Sequence, residues 1–326
     1  MSPAPRRRLR GKAAALLLVG GVLTAACGGS TGASDKVVAQ DSSTGALPAP
    51  GSGPAPPVAF PRRIDRPTKV LVVVEENRSQ RSALEQMPYL ASLARTYGRT
   101  SAYRAVTHPS LPNYLAIFGG STFGVTTNEG PERNGVRGAS IFDTAIAAGH
   151  TAKTYVDAMP SNCALAPKAP YAVKHNPWAY FTDPVSRANC RRFDVPAGTP
   201  AAGELRRDVD AGTLPTLGLL IPDLCHDGHD CPLETADSYL KSWLTKVLAG
   251  PDYRAGRLAV IVTFDEDEGR GDNTVLTTVI SPRTRGVVSD EPFTHYSLAR
   301  YLSQLIRRPP PGRADGAPQL RPAFGI

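Results

Sequence analysis

Apolar runs that read as strands alternate along the chain with stretches whose apolar positions recur at helical spacing. This pattern belongs to a mostly parallel sheet covered by helices on both faces. Strands are predicted at Thr68–Val74, Thr151–Val156, Thr216–Ile221, Leu258–Phe264 and Val275–Ile280. A helix is predicted from Pro88, with Leu90, Leu93, Ala94 and Tyr97 on its buried face and Gly98 as a left-handed stop. Another begins after Ser140, with Asp143 in its first turn and Gly149 at its end. The stripes Leu240, Trp243, Leu244, Val247 and Leu298, Tyr301, Leu302, Leu305 mark two more helices packed on the core. No internal repeat is visible and no linker divides residues 62–306, so one continuous α/β domain is expected there. The Pro-rich stretch 307–326 is expected to be a loosely ordered tail.

The first 61 residues depart from this alternation. Arg6, Arg7, Arg8, Arg10 and Lys12 precede an apolar run, Ala13 to Ala26, that is short for a membrane span and reads as an export signal. It ends in Leu23-Thr-Ala-Ala-Cys27, which resembles the lipobox of bacterial lipoproteins, although Thr24 stands where a larger apolar residue is usual. Ordinary cleavage near Ala26 is the alternative. Residues 28–61 are Gly, Ser, Ala and Pro-rich, the composition of a flexible linker. The chain is therefore expected to be exported, either extracellular or held at the cell surface as a lipoprotein, with membrane contact only through that N-terminal anchor. The formal charge of +8 shrinks once the signal is set aside, because 32 basic residues then face 29 acidic ones. A nucleic-acid partner is not expected. Past Cys27 the four remaining cysteines suggest two disulfides, Cys163 with Cys190 and Cys225 with Cys231, whereas a four-thiolate zinc site lacks any C-x-x-C pair.

Four polar clusters interrupt the hydrophobic pattern. Two are strand ends: Val72-Val-Val-Glu-Glu-Asn-Arg-Ser79 and Leu258 to Phe264 followed by Asp265-Glu-Asp-Glu268. In open α/β sheets the carboxyl ends of strands face the ligand crevice, so Glu75, Glu76, Asn77, Asp265 and Glu266 fall where a metal or phosphate is held. The third, Thr107-His-Pro-Ser-Leu-Pro-Asn-Tyr114, leads into an apolar helix. A serine at such a helix start gains from the helix dipole and from free N–H groups when it attacks phosphorus, though a lone serine there can equally be a plain N-cap. The fourth, Pro222-Asp-Leu-Cys-His-Asp-Gly-His-Asp-Cys231, packs three aspartates and two histidines beside two cysteines, a density that suits a hard or borderline cation as well as a solvated turn.

These blocks, together with Lys174-His-Asn-Pro-Trp178 and Thr294-His-Tyr296, resemble the bacterial phosphoesterase family of secreted acid phosphatases and phospholipases C, in order over residues 68–306. The resemblance implies an alkaline-phosphatase-like three-layer α/β/α sandwich with a mostly parallel central sheet. It implies a divalent metal ion of open identity, held by Glu76, Asn77, Asp265 and Glu266, with metal independence as the alternative. Ser110 matches the nucleophile segment, with Thr107 as fallback, and Asp227, His229 and His295 match catalytic positions. Asn113, Lys174, His175 and Tyr155 are matched as substrate-binding residues. His226 and Ala236 depart from the family pattern, where Asn and Gly are usual. The implied activity is hydrolysis of phosphate monoesters on a small molecule or a phospholipid, phosphatidylinositol 3-phosphate among them. A phospholipase C-type phosphodiesterase and a non-catalytic ligand-binding lipoprotein are the two alternatives.

Overall fold

The computed structural model describes residues 66–326; the predicted signal, lipobox and linker lie outside the described residues. The described residues belong to one compact unit. Eight strands form one sheet: β1 Lys69–Glu75, β2 Gly98–Thr100, β3 Ala152–Val156, β4 Asp194–Pro196, β5 Leu217–Ile221, β6 Leu258–Phe264, β7 Thr278–Ile280 and β8 Val287–Ser289. Their order is β4-β3-β5-β1-β6-β7-β2-β8, parallel throughout except where β7 runs against β6 and β2.

The central strands explain why the sequence reads as it does. All of β5 and β6 and all but the first residue of β1 are buried, which requires cover on both faces and therefore continuous apolar runs rather than alternation. Two groups of helices supply that cover, each packing within itself. Gln80–Gln86, Pro88–Thr96 and Leu233–Ala249 form part of one, and Ser110–Gly119, Ile141–Ala147 and His295–Leu305 part of the other. Ser140 and Asp143 close a reciprocal capping box at the start of Ile141–Ala147, and Pro88 occupies the first turn of its helix as predicted.

Three features differ from the sequence reading. Gly98 is no left-handed stop. It opens β2 and is pressed so closely on Thr284 that a Cβ would lie 2.6 Å from that side chain's methyl. The strand expected over Val275–Ile280 is regular only at its end, although Val275 to Thr277 are buried. The tail is not loose: Leu320, Phe324 and Ile326 are fully buried, the helix Leu320–Phe324 forms, and Thr284 Oγ1 donates to the Phe324 carbonyl at 2.7 Å. Apolar burial overrides the proline-rich composition there. Both expected disulfides are present.

Candidate active site

Register brings the two acid-tipped strand ends together. β1 and β6 pair so that Glu75 stands opposite Phe264, and the ladder continues with Asp265 N–H donating to the Glu75 carbonyl at 2.9 Å. Glu76 and Asp265 are therefore neighbours at the carboxyl edge. The loop after β5 joins them, since Glu76 N–H donates to the Asp227 carbonyl at 2.8 Å. Asn77 adopts a left-handed φ of 55°, and its N–H donates to Asp265 Oδ1 at 3.0 Å.

Glu76 is the hub of this arrangement and is fully buried. Its Oε2 accepts from Ser110 Oγ at 3.2 Å, and its Oε1 accepts from Tyr114 Oη at 2.7 Å. Ser110 and Tyr114 lie one turn apart on the helix Ser110–Gly119, so a single helix face serves both carboxylate oxygens. His175 lies between acids, with Nε2 at 3.1 Å from Glu76 Oε1 and Nδ1 at 3.2 Å from Asp227 Oδ2. Neither contact is well aligned as a hydrogen bond, so charge rather than direction holds them. Burial alone disfavours an imidazolium, but the two carboxylates outweigh it and raise His175 to about 9. Burial likewise opposes the Glu76 carboxylate, and the adjacent His175 charge, with help from Lys174 and Tyr114, holds it at about 2. The His175 ring also stacks on Tyr114, centroids 5.3 Å apart.

The acids at the end of β6 are in the opposite condition. Asp265 is pushed well up by burial and then by Glu76 and Glu266, and Glu266 rises to about 8 for burial and the Glu76 charge. Asp227 is raised chiefly by burial. Buried carboxylates in such proximity lack positive charge. Asp265 Oδ2 is buried with no partner, and the Asn77 side-chain amide makes no hydrogen bond. The oxygen donors of Glu76, Asp265, Glu266 and Asn77 are of the type a hard divalent cation takes, but the three carboxylates do not bring one oxygen each within 4.8 Å of one another. Asp157, Asp223 and His226 do bring three ligand atoms within 4.8 Å of one another, with His226 Nδ1 2.8 Å from Asp157 Oδ2 and its ring stacked on Tyr239.

Lys174 and His229 complete the polar rim. Lys174 Nζ lies 3.2 Å from His229 Nε2, and His229 Nδ1 lies 2.6 Å from Asp230 Oδ1. An ammonium only donates, so Nε2 is the acceptor and the ring proton sits on Nδ1, facing Asp230. Asp227 Oδ1 accepts from the His229 backbone N–H at 2.8 Å, which fixes the loop carrying that imidazole.

Three predicted site residues have other work. Tyr155 donates to Asp208 Oδ2 at 2.6 Å, away from the Glu76 group. Asn113 accepts from Val106 and Thr107 N–H and donates to the Thr107 carbonyl and Glu266, which ties the loop before Ser110 to the acids after β6. His295 is buried, with Nε2 donating to the Asp265 carbonyl at 2.6 Å and Nδ1 3.1 Å from Tyr103 Oη. Both nitrogens are spent, and burial lowers it to about 4. It props the end of β6 rather than reaching a leaving oxygen. The expected free N–H groups beside Ser110 are also few, because Leu111 N–H is bound by Asn128 Oδ1 at 3.0 Å and Pro112 has none.

Sequence reading assigns no site role to two contributors, although His108 stands out as a polar neighbour of Ser110. Tyr114 was legible as the i+4 partner of Ser110. His108, which reaches Glu266 at 3.0 Å and Asp267 at 3.4 Å, carried no such signal because its partners are more than 150 residues away.

The sequence profile of the Phosphoesterase family matches residues 82–307. Phosphatidylinositol-3-phosphatase of Mycobacterium tuberculosis (strain ATCC 25618 / H37Rv) is 30% identical over 261 residues, covering 78% of this chain and 82% of that protein. Phosphate-repressible acid phosphatase of Penicillium chrysogenum is 27% identical over 248 residues, or 69% of this chain and 56% of the fungal protein, so the chain spans little more than half of that relative. Among solved structures, a protein in the alkaline phosphatase superfamily from Vibrio parahaemolyticus superposes with a TM-score of 0.52 at 12% identity, over 75% of this chain and 67% of that one. That likeness is one of fold.

Proposed function

The chain belongs to the phosphoesterase family, and we propose that it is an exported acid phosphatase in which Ser110 attacks the phosphorus of a phosphate monoester. The observation that carries this reading is the 3.2 Å contact between the Ser110 hydroxyl, at the start of an apolar helix, and the buried carboxylate of Glu76. A structural N-cap serine bonds backbone N–H groups of its own helix; this one points across to another element's charge.

The contact to Glu76 Oε2 fixes the hydroxyl proton and leaves the oxygen lone pairs for in-line attack. The helix dipole favours the incoming anion. Lys174 supplies a positive charge for the phosphate oxygens, a task the scarce backbone N–H groups cannot perform. As Ser110 Oγ bonds to phosphorus its proton passes to Glu76 Oε2, and the P–O ester bond breaks, the ester oxygen leaving with the electron pair and taking a proton from water as the alcohol. Water then attacks the phosphoserine phosphorus, His229 Nε2 takes the proton of the water, and the Ser110 oxygen leaves phosphorus, recovering its proton from Glu76 as inorganic phosphate is released. Asp230, bonded to Nδ1, stabilises the imidazolium that forms. Glu76, Asn77, Asp265 and Glu266 are the residues that would hold a divalent ion, which would supply charge neutralisation at the phosphate and at the serine hydroxyl.

We propose phosphatidylinositol 3-phosphate as a substrate, supported by the name and coverage of the mycobacterial relative. Both disulfides support an oxidising location, and lipidation of Cys27 belongs to the same proposal. The decisive experiment is turnover of p-nitrophenyl phosphate by Ser110→Ala. Loss of turnover with an unchanged melting curve is expected, with phosphoserine at Ser110 in acid-quenched wild-type protein. Full activity in the variant removes Ser110 from the reaction. Chelation followed by metal add-back tests the ion, and a rate indifferent to both rejects it. Faster cleavage of p-nitrophenylphosphorylcholine than of the monoester favours a phosphodiesterase.

A further inference from the structure

At the other end of the sheet lies a site of opposite charge. Arg66, Arg307, Arg308 and Arg321 line one groove of about 610 Å³. A neighbouring cavity of about 530 Å³ shares three of those arginines and extends to Lys69 and His150. Lys69 opens β1 and His150 precedes β3, so both cavities lie at the amino ends of the strands. The seven residues of β1 separate this end from Glu76 by roughly 20 Å.

Among the described residues no carboxylate lines either cavity. The guanidinium groups of Arg66, Arg307 and Arg308 have no hydrogen bond, ion pair or ring contact. Arg321 lies over the Tyr301 ring at 6.0 Å, and its Nε is buried without a partner. Four cations gathered without acids repel one another, and an external anion removes that cost. The helix dipole accounts for part of the arrangement, because Arg307 and Arg308 follow the carboxyl end of His295–Leu305. It does not account for Arg66 or Arg321, which reach the same groove from separate segments. Arg307 moreover holds a left-handed φ of 54°, a conformation at odds with its side chain.

We propose that this groove docks the domain on an anionic lipid surface, its arginines taking the headgroup phosphates. Guanidinium groups match phosphate oxygens in pairs, and clustered basic side chains bind anionic bilayers. The choice of a membrane rests on position: Arg66 lies just before β1, and the sequence leads back from it through Arg63 and Arg62 to Cys27, 39 residues earlier. The docked face and the catalytic edge are opposite ends of one sheet. The crevice then opens away from the supporting surface, toward substrates arriving from outside. None of this depends on the role given to Ser110.

The test uses the exported chain carrying Cys27→Ser, so that no acyl group contributes, in co-sedimentation with phosphatidylcholine vesicles with and without phosphatidylglycerol. Binding only to the anionic vesicles, weakened by salt, is expected. Arg307→Ala and Arg308→Ala, exposed and unpartnered, should each weaken it about fivefold while leaving p-nitrophenyl phosphate turnover unchanged. Equal binding to neutral vesicles, no binding to either, or full binding by the double variant overturns the proposal. So does displacement by inorganic phosphate beyond that of chloride at matched ionic strength, which assigns the groove to a small soluble anion. Absence of phosphatase turnover in the unaltered chain refutes the catalytic reading and leaves this one standing.

Discussion

Replacing Tyr114 with Phe removes one oxygen atom from the centre of the site and nothing else. The hydroxyl donates to Glu76 Oε1 at 2.7 Å in a fully buried setting, while the ring stacks on His175 and keeps that contact in the variant. A hydrogen bond to a charged acceptor contributes about 1.5–3 kcal/mol. Glu76 would keep His175 on the same oxygen and Ser110 on the other, so the carboxylate stays charged but loses one of its three anchors. If that anchor serves chiefly to hold Glu76 against Ser110, its loss falls on the attack, and kcat drops roughly ten- to a hundredfold. KM should change little, because the phosphate-binding charges are not touched. Steady-state kinetics on p-nitrophenyl phosphate, with thermal melting alongside, reads both quantities. Adding Tyr114→Phe to Ser110→Ala should cost no further activity, since groups acting as one unit are non-additive. A variant with wild-type kcat and a lowered melting temperature would make Tyr114 an ordinary core hydrogen bond and refute the reasoning.

Two further outcomes follow from the same structure. His295 titrates at about 4 in the folded chain against about 6.5 unfolded; the unfolded chain binds the extra proton between those values, so stability is full above about 6.5 and falls by about 3 kcal/mol as pH drops to 4. Denaturant unfolding across that range should show the slope in wild type and a flatter one in His295→Gln; equal slopes would reject the assignment. Truncation after Pro318 removes the fully buried Leu320, Phe324 and Ile326, and at about 1.5–3 kcal/mol per large apolar side chain the loss is on the order of 5 kcal/mol. Unchanged unfolding of the truncated chain would return the tail to the loose state its composition suggests.

The parallel centre of the sheet was legible because each of its strands is buried on both faces and must be written in consecutive apolar residues. The outer strands Gly98–Thr100, Asp194–Pro196 and Val287–Ser289 were not, since three residues carry no period and their pairing is decided by what packs beside them. The site divides in the same way. Carboxylates ending apolar strands stand out locally, and the β1–β6 register does bring them together. Partners do not stand out. His295 and Tyr155 have residue types suited to catalysis, yet one is spent on the Asp265 carbonyl and the other on Asp208. Glu75 and Glu76 make the point within two adjacent positions. Successive side chains on a strand point to opposite faces. Glu76 meets Ser110, Tyr114 and His175 and is held at about 2, whereas Glu75 has neither carboxylate oxygen bonded and is driven well up by burial and then by Asp227 and Asp237. The same residue type at the same strand end is thus held low on one face and driven well up on the other. Chemistry at this edge is set by which face a position serves, so Glu76→Gln should reach the reaction directly while Glu75→Gln, which breaks no side-chain bond, should leave turnover nearly intact.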